Sequence, residues 1–167
     1  RLRALDHVVV DDDAGRAVDT WDVTFSELDD YRGINANMHS VEAMLAVADA
    51  TGAPAWRERA ARIAAFVVEL AAKHDGRLPE HFDARWTADL ELNADRPGDQ
   101  FKPYGATIGH GLEWSRLLLH VEGALGDDVP HDLLPAAVAL FDRAVADGWA
   151  VDGADGRHHR RGRLPGA

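Results

Sequence analysis

The sequence predicts an all-α fold, and three observations support it. Alanine and leucine are frequent, runs of β-branched residues are rare, and apolar residues recur at helical spacing. A length of 167 residues suits one domain or one piece of a larger one. Because 46% of the residues are hydrophobic and 28% are charged, we expect a globular chain with a packed core.

The first two predicted helices form an antiparallel hairpin. The first covers about residues 37–50 and ends at Thr51-Gly52, a typical helix C-terminal signal. Its predicted buried face consists of Met38, Val41, Leu45 and Ala48. The second helix follows Pro54, and its apolar stripe consists of Trp56, Ala60, Ile63, Ala64, Val67, Leu70 and Ala71. Only a short turn separates the two helices, which favours antiparallel packing.

A second hairpin is predicted from helices over about residues 109–122 and 131–147, joined by a turn-rich connection. The predicted apolar stripe of the latter helix consists of Leu134, Val138, Phe141 and Val145. Between the hairpins, residues 75–108 contain too many glycines and prolines for a continuous helix. This segment is also rich in aromatic residues, so we expect it to be ordered and to cover part of the molecule.

The composition argues against several classes of function. A net charge of −11 repels phosphate backbones, so we expect no nucleic-acid partner. No apolar run approaches the roughly 20 residues that cross a bilayer, so we expect no membrane partner either. The absence of cysteine removes thiolate nucleophiles and cysteine-ligated metals, and it fits a cytoplasmic location.

Two His-x-x-Glu pairs are the main chemical signal: His39 with Glu42, and His110 with Glu113. Each pair stands near a predicted helix start, where residues three apart share a face. Histidine is suited to moving a proton near neutral pH, and a neighbouring carboxylate would orient its ring. The spacing alone is more typical of a capping or partly exposed histidine. Neither pair extends to a zinc motif, so no metal site is predicted.

Several motifs follow one another along the chain. They are Asp30-Tyr31-Arg32-Gly33 before Asn35-Ala36-Asn37-Met38-His39, then Glu80-His81-Phe82-Asp83, then Phe101-Lys102-Pro103-Tyr104-Gly105 before Gly109-His110-Gly111-Leu112-Glu113-Trp114. In this order and spacing they resemble the N-acylglucosamine 2-epimerase superfamily, and within it the mannose isomerase and sulfoquinovose isomerase branch. The resemblance covers about residues 15–150.

The resemblance implies an (α/α)6 toroid built from antiparallel helical hairpins around a sugar pocket. It implies an enzyme that interconverts an aldose and a ketose of the mannose/fructose type, without a metal or an organic cofactor. In this chemistry a histidine removes the proton from C2 of the open-chain sugar, and a cis-enediol intermediate is reprotonated at C1. The small-molecule partner would be a monosaccharide, and homo-oligomerisation stays open.

The resemblance also implies roles for particular residues. His110 corresponds to one member of a catalytic acid/base pair, and His39 corresponds to a catalytic residue for ring opening or for polarising the reacting oxygens. Glu113 corresponds to a residue that binds substrate and orients histidine. Asn35 corresponds to a residue of the pocket wall, and Lys102 stands at a substrate-binding position where many relatives have arginine.

The chain also departs from the family. The family's members are longer, and the second member of the acid/base pair lies in helices missing here, so we expect this fragment alone to be inactive and poorly folded or self-associating. We interpret residues 1–156 as the central portion of a single (α/α)6-barrel domain. Residues 157–167 form an atypical basic tail, for which our hypothesis is a frameshift or a truncated gene model. For the function, the alternatives to an aldose–ketose isomerase are a monosaccharide 2-epimerase and a non-catalytic sugar-binding remnant.

Overall fold

The computed structural model describes residues 10–11, 13–126 and 133–148, and these ranges are mostly helical. Four helices are present in them: α1 (Ile34–Thr51), α2 (Pro54–Lys73), α3 (Ile108–Leu125) and α4 (Leu133–Gly148). Four two-residue strands accompany them: β1 (Val10–Asp11), β2 (Arg16–Ala17), β3 (Arg32–Gly33) and β4 (His81–Phe82). The all-α prediction is confirmed. The basic tail at 157–167 and the predicted start of the last helix at 131 lie outside the described residues.

The first hairpin closely follows the sequence prediction. Helix α1 ends at Gly52, whose φ of 69° is left-handed and whose N–H donates to the carbonyl of Ala48 at 2.8 Å. Glycine suits this position because a side chain would be strained there. Helix α2 begins two residues later with Pro54 in its first turn and packs against α1. The predicted stripe of α2 is buried, except for the partly buried Trp56.

The second hairpin corrects one prediction. The stripe assigned to the core of α4, namely Leu134, Val138, Phe141 and Val145, is 37–50% exposed. A neighbouring face is buried instead, made of Leu133, Ala137, Leu140 and Ala144. The reason is close helix packing, because a Cβ added to Gly111 of α3 would lie 3.2 Å from the Cβ of Ala144. Small residues let α3 and α4 approach, and the apolar pattern alone could not choose between two apolar faces.

The segment between the hairpins is ordered, as predicted, and packs onto the helices. Strand β4 pairs antiparallel with β3, with Gly33 opposite His81 and Arg32 opposite Phe82. Leu78, Phe82 and Trp86 are buried in the core, which also contains Trp114 of α3. The β3–β4 pairing therefore brings the segment around residue 80 next to the start of α1. No helix in the described ranges is long and apolar enough to cross a membrane.

Candidate active site

A cavity of about 400 Å³ opens where the β3–β4 pair meets the first turns of α1 and α3. Its wall includes two of the predicted site residues, Asn35 and His110. The wall also includes polar or aromatic residues that were not assigned a role from the sequence, namely Tyr31, Glu80, His81, Gln100, Phe101 and Thr107. A concave site with a few convergent polar groups is the usual form of a small-molecule pocket.

His110 and Glu80 form a hydrogen-bonded side-chain pair in this cavity. Nδ1 of His110 lies 2.8 Å from Oε2 of Glu80, and the backbone N–H of Thr107 donates to Oε1 of Glu80 at 2.8 Å. The Glu80 side chain is only 3% exposed and that of His110 is 20% exposed. A buried carboxylate of this kind is stable only when its oxygens are hydrogen-bonded, as they are here.

The electrostatics of this pair favour a protonatable histidine. Burial by itself lowers the pKa of His110, but the hydrogen bond and charge of Glu80, with the charge of Glu113, outweigh it. The net result is a pKa of His110 above its ordinary value. The ring is therefore suited to accept a proton near neutral pH and to release it again.

The main chain around Glu80 explains why it stays in place. Its carbonyl accepts the N–H of Ile34 at 3.1 Å, directly beside the β3–β4 pairing. Thr107, which donates to its carboxylate, immediately precedes α3. Glu80 is thus hydrogen-bonded both to the first residue of α1 and to the residue before α3. Both helices contribute residues to the cavity.

A second hydrogen-bond network includes other residues of the wall. His81 lies 2.7 Å from the carbonyl of Pro103 through Nε2 and 2.9 Å from the hydroxyl of Tyr31 through Nδ1. Since a carbonyl only accepts, Nε2 carries the proton, and the neutral ring then accepts the Tyr31 O–H at Nδ1. Burial, followed by the negative charges of Asp19 and Glu80, raises the pKa of Tyr31, which keeps its hydroxyl protonated as a donor.

Three predicted site residues lie apart from the cavity wall. The ammonium of Lys102 lies 3.7 Å from the ring centre of Tyr31, so it contacts a residue of the cavity wall. Glu113 is exposed one turn beyond His110. His39 is 61% exposed, and its Nδ1 lies 3.0 Å from Oε2 of Glu42.

The two His-x-x-Glu pairs therefore behave differently. The pair in α1 makes its internal contact, and Glu42 also accepts a 2.7 Å hydrogen bond from Arg116 of α3. In α3, by contrast, the ring of His110 contacts Glu80, which lies 30 residues earlier in the chain. The structure buries residues 78–82, and the only sequence signal for Glu80 was a carboxylate between Leu78-Pro79 and His81-Phe82, so its role was missed. Among the described residues, no group of three or more His, Asp or Glu side chains could hold a metal ion.

Comparison with known proteins identifies the family. The family model described as N-acylglucosamine 2-epimerase (GlcNAc 2-epimerase) matches residues 1–159. The chain belongs to the N-acylglucosamine 2-epimerase family. This assignment confirms the superfamily inferred from the motifs around Asn35, Glu80 and His110.

Two similar relatives are named D-mannose isomerases. A D-mannose isomerase of Thermobifida fusca is 52% identical over 147 residues, which are 87% of this chain and 36% of the relative. A D-mannose isomerase of Pseudomonas cannabina pv. alisalensis is 41% identical over 149 residues, again 87% of this chain and 36% of the relative. The chain thus spans little more than a third of the length of these curated relatives.

A solved structure confirms the fold. The crystal structure of a D-mannose isomerase matches with a TM-score of 0.82 and 29% identity, over 90% of this chain and 38% of that chain. The helical hairpins described above are therefore part of the all-α toroid of this family.

Proposed function

We propose that the protein to which this chain belongs is an aldose–ketose isomerase that acts on a monosaccharide of the mannose/fructose type. The observation that carries the proposal is His110, which stands in a cavity wall with its Nδ1 bound to the buried carboxylate of Glu80. The D-mannose isomerases at 52% and 41% identity support the choice of sugar.

The proposed reaction is a proton transfer between neighbouring carbons. His110 removes the proton from C2 of the open-chain aldose, and the electron pair of that C–H bond forms the C1–C2 double bond of a cis-enediolate. The negative charge moves to the oxygen on C1, where it needs hydrogen-bond donors. The proton on the C2 hydroxyl then passes to the oxygen on C1, and return of a proton to C1 gives the ketose.

The other site residues serve binding and ring opening in this proposal. Asn35 lines the cavity, and its amide suits hydrogen bonds with sugar hydroxyls. Glu113 and Lys102 bind substrate, and His39 assists ring opening. The second member of the acid/base pair comes from helices beyond this chain. No metal or organic cofactor takes part, so the activity survives a chelator.

A 2-epimerase is the second candidate, and the family model that matches the chain favours it because it is described by that activity. Both reactions begin with removal of the C2 proton. They differ in the next step, since an isomerase returns the proton to C1 and an epimerase returns it to the opposite face of C2.

The products distinguish the two reactions. Full-length protein is incubated with mannose in D2O with a chelator, and the sugars are followed by NMR. Fructose that carries deuterium at C1 supports the isomerase, whereas glucose with deuterium at C2 and no fructose supports the epimerase. A protein that exchanges the C2 proton of neither mannose nor sulfoquinovose would contradict both and favour a sugar-binding remnant.

A further inference from the structure

We propose that Glu80 is a positioning residue that fixes the tautomer of His110, so that Nε2 is the atom that exchanges the proton with the sugar. The inference deepens the proposed function and rests on it. It assigns to Glu80 the orienting role that the family resemblance implied for Glu113.

Both carboxylate oxygens of Glu80 have a hydrogen-bond partner. The Thr107 N–H already donates to Oε1 at 2.8 Å, and Oε2 lies 2.8 Å from Nδ1 of His110. A carboxyl group is more acidic than an imidazolium by about two pH units, so the proton between them belongs to the ring. Nδ1 is then the donor, and in the neutral ring Nε2 carries the free lone pair. Nε2 is consequently the only ring atom able to act as a base.

The surroundings of Glu80 leave its carboxylate little freedom to move. The side chain is 3% exposed, and its own carbonyl accepts the N–H of Ile34 at 3.1 Å. His110 therefore takes its orientation from a group held on both its side-chain and main-chain atoms. This is the arrangement in which a buried carboxylate orients a catalytic histidine.

Glu113 differs from Glu80 in its exposure and in its interaction with His110. Glu113 is exposed on α3, and its interaction with His110 is through charge alone among the described contacts. His39 shows what the same spacing does when no buried acid competes, since its Nδ1 contacts Glu42 three residues later. The carboxylate of Glu80 occupies Nδ1 of His110, so the i,i+3 contact does not form there.

The test is Glu80→Gln in the full-length protein, with Glu113→Gln as the matched control for the tautomer of His110 and not for activity. The Thr107 N–H still needs an acceptor, so the side-chain carbonyl of the introduced glutamine takes that place and its NH2 group faces His110. A donor at that point forces the lone pair onto Nδ1 and the proton onto Nε2. The corresponding change in a Ser-His-Asp triad lowers kcat by about 10⁴-fold, and we expect a loss of roughly 10²-fold or more here, with KM changed little.

Two readouts are combined. Histidine-selective 15N NMR, at a pH where the ring is neutral and with the His110 signal assigned from a His110→Gln spectrum, reports which nitrogen carries the proton. We expect Nδ1–H in the wild type and in Glu113→Gln, and Nε2–H in Glu80→Gln together with the loss of kcat. A wild-type ring protonated at Nε2, or a Glu80→Gln variant with an unchanged tautomer or with kcat within threefold of wild type, would overturn the proposal.

The outcome separates this inference from the proposed function. Wild-type protein with the expected tautomer but without C2 exchange on any aldose would leave the tautomer assignment standing while the isomerase proposal fails. Active wild-type protein with the opposite tautomer would do the reverse. A folded-state check by the dispersion of the remaining histidine signals shows that Glu80→Gln has kept its structure.

Discussion

At the scale of single residues, His110 should determine the pH dependence of activity. The residue must be neutral to accept a proton, and its pKa is raised above the ordinary value of about 6.5. The acid limb of kcat/KM against pH therefore lies above pH 6.5, and activity falls as the pH drops through it. Glu80→Gln should move this limb to lower pH, and Glu113→Gln should move it less in the same direction. A pH–rate profile measured on the three proteins checks this, and an acid limb unmoved in Glu80→Gln contradicts it.

The hydroxyl of Tyr31 gives a second prediction at this scale. Tyr31→Phe removes the donor to Nδ1 of His81, which in turn holds the carbonyl of Pro103 at the cavity wall. We expect a loss of about 1 kcal/mol in the free energy of unfolding and a KM raised several-fold, with a smaller change in kcat. Tyr104→Phe is the control, since that hydroxyl makes only an exposed 3.5 Å contact with Glu91. Equal effects of the two variants in denaturant titrations and steady-state kinetics would show that the Tyr31–His81 hydrogen bond does not support the cavity wall.

At the scale of secondary-structure elements, the close approach of α3 and α4 depends on Gly111. An added methyl group there lies 3.2 Å from the Cβ of Ala144, which cannot rotate away, whereas Gly123 of α3 has open space around it. Gly123→Ala should stabilise the fold by up to about 1 kcal/mol through helix propensity. Gly111→Ala should be less stable than Gly123→Ala by about 1–3 kcal/mol because of overpacking. Chemical denaturation of both variants measures the difference, and equal stabilities would show that the contact does not limit the packing.

The same elements show what local sequence can and cannot predict. Helix limits were predictable because Gly52 and Pro54 act within one turn of the residues they terminate or begin. The buried face of α4 was not, since the choice depends on Gly111 and Ala144, which belong to different helices. In the site, His110 was singled out by its His-x-x-Glu spacing, its role and that of Asn35 came from the family resemblance, and both residues line the cavity. Glu80 was missed because its contact with His110 is created by the β3–β4 pairing and not by helical spacing.

At the scale of the whole molecule, the exposed apolar face of α4 predicts self-association of this chain when it is expressed alone. Leu134, Val138, Phe141 and Val145 form a continuous stripe that is 37–50% exposed. Phe141→Glu should reduce the association. Ala146→Glu should not, because Ala146 is an exposed residue of the same helix outside the stripe. Light scattering over a range of concentrations checks this. A monomeric chain with one sharp unfolding transition would contradict the prediction.

The central claim for the whole protein is that His110 exchanges a proton with C2 of the sugar. The most direct measurement is the rate of deuterium incorporation at C2 of mannose in D2O, compared between wild-type full-length protein, His110→Ala and His120→Ala. His120 is an exposed histidine of the same helix and serves as the control. We predict that exchange is lost by at least roughly 10²-fold in His110→Ala and kept in His120→Ala, as expected when a general base is removed. Exchange at the wild-type rate in a folded His110→Ala protein would show that His110 is not the base that removes the C2 proton.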